Sequence, residues 1–180
     1  KAFEKLQEDY TRTDTVLIGL EPPQGQVFTA GFLGTVRELT EQAWQVPHAQ
    51  RVESLTNFQH VEVDGDNIAT RDLVPAGQSL DPAALARIRD IAVHEPFLVD
   101  SLVNAEGTVA GVRITLNMPG KNPKVEIPEV VDKVRTITAA LVKEHPGLKV
   151  HLAGLLLANM GSIAAALADG DPGLTFHLVG

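Results

Sequence analysis

Thr15 to Glu21 reads TVLIGLE, an apolar run closed by Pro22 and Pro23, and it predicts a strand. Before it, Phe3, Leu6 and Tyr10 share one side of a short amphipathic helix over Lys1 to Tyr10. After it, Phe32, Val36, Leu39 and Ala43 recur at helical spacing. Thr29 stands where an N-cap belongs, Phe28 and Leu33 where a hydrophobic staple would close, and Pro47 lies past the end. A second strand is expected at Arg51 to Thr56. The unit is strand, crossover helix, strand.

The middle of the chain has a different rhythm. His60 to Val63 and Asn67 to Leu73 flank Asp64-Gly65, a strong hairpin signal. Asp81 then caps a helix whose first residue is Pro82 and which runs to about His94. Pro96 opens a second, short helix through Leu102 and Val103. Beyond Gly107 the strand pattern returns, with Val112, Ile114 and Leu116 alternating with Arg113 and Thr115. Pro128 starts a long helix carrying Val130, Val134, Ile137 and Leu141 in register and ending at His145-Pro146. Leu148, Val150 and Leu152 alternate with Lys149 and His151 in a final strand.

Setting residues 57–106 aside leaves strand-helix-strand twice over. The alternation in the later strands means that one sheet face is covered and the other at least partly wet, unlike a parallel sheet buried on both faces. The expected fold is α+β, a ferredoxin-like split βαβ sandwich formed by residues 1–56 and 107–170. Residues 57–106 form an inserted hairpin-plus-helices subdomain, expected to pack as a semi-independent lobe. One echo stands out: Pro146 to Gly154 reads PGLKVHLAG and Pro172 to Gly180 reads PGLTFHLVG, identical at six of nine positions. Two simple strand entries could coincide by chance; the favoured reading is that residues 171–180 are the remnant of a second homologous module.

Composition narrows the class. Hydrophobic residues make up 44 % and charged residues 21 %, as in an ordinary globular domain. Fifteen Lys and Arg against 23 Asp and Glu leave a net charge of -8, which argues against nucleic-acid binding. With no cysteine, disulfides, Cys-based zinc sites and thiol chemistry drop out, and an exported location is suited. The chain starts at Lys1, which reads as an excised or processed segment. Val150 to Ala168 is uncharged and long enough to consider as a membrane span. His151, Asn159, Ser162, its glycines and its many alanines make insertion poor, so packing against protein is expected instead.

Candidate chemistry is sparse. His48, His60, His94, His145, His151 and His177 form no i, i+4 pair and no metal-binding spacing, and are read as surface residues; no metal and no cofactor are expected. Asp64-Gly65-Asp66-Asn67 starts like a calcium loop but lacks the later ligands, and a hairpin turn explains it. Glu38 and Glu41 sit on the exposed side of a helix. No GxSxG, GxGxxG or Walker loop occurs. No catalytic constellation emerges, and the chain is not read as an enzyme.

One segment does carry a signature. Ala49-Gln50-Arg51-Val52-Glu53-Ser54-Leu55-Thr56-Asn57-Phe58 resembles the xxVxSLTN strand of extracytoplasmic loops in the RND superfamily, in the branch of MMPL-like and hopanoid exporters. TDTVLIGLE with VFTAGFLGTVRELTEQ is similar to that family's first strand and helix. EPFLVDSLVNAEGTVAGVRITLNMPG resembles its middle segment and third strand, and PGLKVHLAGLLLANMGSIAAALADG the last strand and the helix that leads back to the membrane. The resemblance spans residues 1 to about 170.

That resemblance implies a porter domain between the first two transmembrane helices of a proton-driven lipid exporter, on the periplasmic side of a bacterial inner membrane. It implies a hydrophobic substrate of hopanoid or sterol type, a periplasmic carrier or adaptor as partner, and homo-oligomers. The superfamily's proton-relay carboxylates lie in its membrane helices, so none is sought here. The alternative is a free-standing periplasmic lipid-binding or adaptor module with no transport role. Phe97, Leu98 and Leu102, where the insertion returns to the core, and Phe58 at the opposite junction are the expected substrate-binding residues. These four residues could equally be the insertion's own core.

Overall fold

The computed structural model describes residues 13–154 and 174–176. Its elements are β1 (Thr13–Glu21), α1 (Ala30–Ala43), β2 (Ala49–Glu53), β3 (Gln59–Asp64), β4 (Asn67–Asp72), α2 (Pro82–His94), β5 (Ala110–Asn117), α3 (Pro123–Glu144), β6 (Lys149–Gly154) and β7 (Leu174–Phe176). The expected helix over Lys1 to Tyr10, and the part of Val150 to Ala168 beyond β6, lie outside the described residues. Among the described residues no helix is long and apolar enough to cross a membrane.

The fold is mixed α+β. Five strands form one sheet in the order β2-β5-β1-β6-β7, and β3 and β4 form a separate hairpin. β1 is central and antiparallel to both neighbours, with Ile18 opposite Val112 on β5 and Leu152 on β6. β2 runs antiparallel to β5, with a register shift between Ala49 and Arg51. β7 pairs in parallel with β6, Val150 facing Leu174.

Alternation decides which side of this sheet is dry. Val16, Ile18, Leu20, Val52, Val112, Ile114, Leu116, Val150 and Leu152 are all buried on one face. Against them lie α1, over β5 and β2, and α3, over β6, and the two helices also touch each other. The α1 stripe of Phe32, Leu33, Val36, Leu39 and Ala43 is buried, and Thr29 Oγ1 accepts the N–H of Phe32 as the cap. Thr15, Leu17, Glu21, Glu53, Arg113, Thr115 and His151 alternate with the buried set and stand part-exposed on the other face.

The inserted segment shares this core. Leu73, Val74, Ile88, Ala92, Leu98, Leu102 and Val103 belong to the same buried cluster as the sheet and its helices. The Arg37 guanidinium on α1 also donates to the Val74 carbonyl. At the return, Val27 N–H bonds Gly107 O at 3.0 Å, and Gly107 has φ +68°. A Cβ there would sit 2.9 Å from the Phe28 ring, so both backbone and space call for glycine.

Three sequence expectations change. The long helix starts at Pro123, not Pro128, and Pro128 lies inside it. Pro123 occupies the first turn, where its missing N–H is no loss, and the Glu126 carboxylate accepts the N–H groups of Gly120, Lys121 and Asn122. β2 ends at Glu53, because Ser54 to Thr56 leave the ladder for a hydroxyl network. Residues 96–103 form successive turns, not a helix. Asp100 takes φ +60°, and its N–H bonds the Val103 carbonyl at 2.7 Å, which reverses the chain.

Candidate functional site

The sequence motif around Ser54 resolves into separate physical jobs. Val52 and Leu55 point into the core. Ser54 Oγ lies 2.7 Å from Thr40 Oγ1 and 2.8 Å from Thr56 Oγ1, and Thr40 donates to the Val36 carbonyl of α1. These buried hydroxyls satisfy one another where β2 leaves the sheet. Asn57 closes the turn: its Oδ1 accepts the Ser54 N–H at 2.9 Å, and its Nδ2 donates to the Val52 carbonyl at 2.7 Å. Phe58 follows directly, beside the turns of residues 97–102.

A hollow of about 300 Å³ lies there. Phe58, Phe97, Leu98 and Leu102, the four residues expected from sequence, all line it. They are not equivalent. Leu98 and Leu102 are fully part of the core, whereas Phe97 is 76 % exposed at the rim. The same hollow has charged lining residues. Glu53 on β2 and Arg113 on β5 are direct cross-strand partners, and Arg51 is two residues along the same face. Arg113 Nε donates to Glu53 Oε2 at 3.0 Å, and Arg51 Nη2 meets Glu53 Oε1 at 2.9 Å. Arg113 Nη1 also donates to Ser101 Oγ at 3.1 Å, which ties the 97–102 turns to the sheet.

This charged group was not singled out from sequence. Arg51, Glu53 and Arg113 each alternate with core residues, so their solvent-side placement was legible. What brings them together is the pairing of β2 with β5 across 60 residues of chain.

Histidines find carboxylates elsewhere. His151 Nε2 lies 3.2 Å from Glu21 Oε2 on the open sheet face. His145 Nε2 lies 3.3 Å from Glu38 Oε2, so Glu38 is engaged rather than merely solvated. With Glu144 these make, among the described residues, a group of three ligand-type side chains whose donor atoms lie within 4.8 Å of one another. Glu144 and His145 also line a second hollow of about 450 Å³ with Pro22, Pro23 and Phe32. The contact between His145 Nε2 and Glu38 Oε2 accounts for two of the three groups without a cation.

Near the other end of the sheet, the Asn122 N–H holds the Glu126 carboxyl below its ordinary value. Burial opposes this, while the N–H groups of Gly120 and Lys121 and the neighbouring His48 reinforce it. That carboxylate organises a loop and lines none of the hollows described above. No protein-family model matches the chain, and no curated protein matches it in sequence.

Proposed function

We propose that this chain is the periplasmic porter domain of an RND-type, proton-driven exporter that handles a hydrophobic lipid. The observation that carries the reading is the meeting of Phe58, Phe97, Leu98 and Leu102 on one hollow between the sheet and the inserted segment. Apolar residues converging with a few polar groups are the usual makings of a small-molecule site. The strand order supports the fold half of the reading: β2-β5-β1-β6, with helices crossing from β1 to β2 and from β5 to β6, is the arrangement of a ferredoxin-like split βαβ sandwich. We read β7 as an addition to that four-stranded core and residues 171–180 as the remnant of a second homologous module.

In this reading the domain receives lipid and passes it on, and the parent protein's membrane helices supply the proton-driven work. Hopanoids and sterols are the expected substrate class, and a periplasmic carrier or adaptor the expected partner. The direct test titrates a fluorescent sterol or hopanoid into the chain and into Phe97→Asp, with circular dichroism as the folding control. Saturable binding should weaken about tenfold or more in the variant, because a charge replaces a ring that buries against ligand. Equal binding by two folded proteins removes this hollow as the lipid site.

A further inference from the structure

We propose that the hollow beneath Phe97 recognises the anionic head of an amphiphile, such as a lipid carboxylate or phosphate, through Arg51 and Arg113. The inference rests on the reading of this hollow as a lipid site and narrows its ligands to lipids that carry an anionic head, in place of neutral hopanoids or sterols.

The argument begins with charge. The chain carries a net charge of -8, yet the charged residues that line this hollow are Arg51, Glu53 and Arg113, which sum to +1. A basic spot on an acidic protein concentrates anions locally while the rest of the surface repels them. Geometry adds direction. Glu53 gives one carboxylate oxygen to each arginine, so both guanidiniums are held on the open sheet face with one neutralising group between two cations. Ser101 and Glu53 together fix Arg113 through Nη1 and Nε, and Nη2 makes no hydrogen bond among the described residues. A guanidinium so oriented presents a preformed donor edge suited to carboxylate or phosphate oxygens.

The apolar side sets the second requirement. Phe58, Phe97, Leu98 and Leu102 share with the charged residues a space of about 300 Å³, at the lower end of the range of about 300–1,000 Å³ for small-molecule sites. That space suits a head group and the first carbons of a chain, with Phe97 at the rim covering what emerges. A free anion would leave the apolar wall wet, and a neutral polycycle would leave Arg113 without a new partner.

The experiment compares dodecanoate, dodecanol and inorganic phosphate on the full chain by calorimetry at low salt. Dodecanoate should bind about tenfold more tightly than dodecanol, as a charge-assisted hydrogen bond allows, and phosphate alone should bind far more weakly. Added salt should erode the carboxylate's advantage, because the rim is open to solvent. Arg113→Gln should abolish that advantage, so that the variant binds dodecanoate no more tightly than it binds dodecanol. Arg51 has a side chain 69 % exposed, so Arg51→Gln folds without difficulty and should lose part of it. Glu53→Gln should tighten dodecanoate, since the lining charge rises, an effect that a merely structural ion pair would not produce. Equal binding of dodecanol and dodecanoate overturns the anion claim and leaves the lipid reading standing. Phosphate binding as tightly as dodecanoate overturns it in favour of a free-anion site. If neither dodecanoate nor dodecanol binds, the anion claim is overturned, and the sterol titration then decides the lipid reading by itself.

Discussion

The five-stranded sheet and the β3–β4 hairpin use the same alternation of apolar and polar residues, with opposite results. In the sheet, Val16, Ile18 and Leu20 on β1 are buried because α1 and α3 lie over that face. In the hairpin, Val61, Val63 and Ile68 share one face, where Val63 opposes Ile68, and they are 54 %, 69 % and 75 % exposed. The hairpin's polar face turns inward instead. Glu62 lies 3.7 Å from Arg87 on α2 and 3.9 Å from Arg71, and with His60 they line a polar hollow of about 430 Å³. Alternation therefore specifies two faces but not which of them is covered. Coverage depends on what packs there, and a two-stranded hairpin has no core of its own to decide it.

The largest test of that contrast is a pair of cavities. Ile114→Ala in the sheet and Leu98→Ala in the inserted segment each remove a fully buried side chain. Each should cost about 3 kcal/mol in urea unfolding, with one transition for the whole chain, because both residues lie in one continuous cluster. Two separate transitions for Leu98→Ala would show the insertion unfolding alone.

A smaller effect is expected at Glu126, whose folded carboxyl is held below its ordinary value of 4.5. Because the folded state favours the ionised form, its contribution is complete above that value and is lost as pH falls through the lower, folded one. Glu126→Gln should unfold at lower urea than the parent at pH 7, and the two midpoints should converge as the solution is acidified below pH 4.5. A gap that stays constant with pH would mean that the loop does not depend on the charge.

The smallest effect belongs to the hairpin's outer face. Ile68→Ser should change stability by no more than about 0.5 kcal/mol, since the side chain is already largely in water. A loss comparable to that of Leu98→Ala would mean that this face is covered in solution.

Local chemistry made several elements legible. The helix Pro82–His94 follows directly from Asp81 and Pro82, and Asp81 Oδ1 accepts the Ala84 N–H at 2.7 Å. Gly65 takes φ +61° at the hairpin turn, which is the reason Asp64-Gly65 signals one. Local reading failed where a hydrogen bond outside the apolar pattern sets the boundary. The helix start at Pro123 depends on Glu126 reaching back to the loop, and a proline five residues later looked like the better beginning. The 96–103 segment carries a proline start and apolar spacing, but Arg113 on Ser101 and the Leu102 carbonyl bonded to Gly111 N–H pull it into turns.

The candidate site divides the same way. Phe58, Phe97, Leu98 and Leu102 stand at the two junctions of the insertion, and those junctions meet because β2, which it leaves, pairs with β5, which it enters. Their places at the junctions are written in the sequence, as are the alternation of both strand pairs, the caps of the two earlier helices and the acidic overall charge. The pairing of β2 with β5 is not written there. Strand partners are chosen by the packing of whole elements, and no local pattern encodes the 60-residue separation that sets Arg113 against Glu53. The meeting of Arg51, Glu53 and Arg113 beside the phenylalanines was decided by the tertiary structure alone.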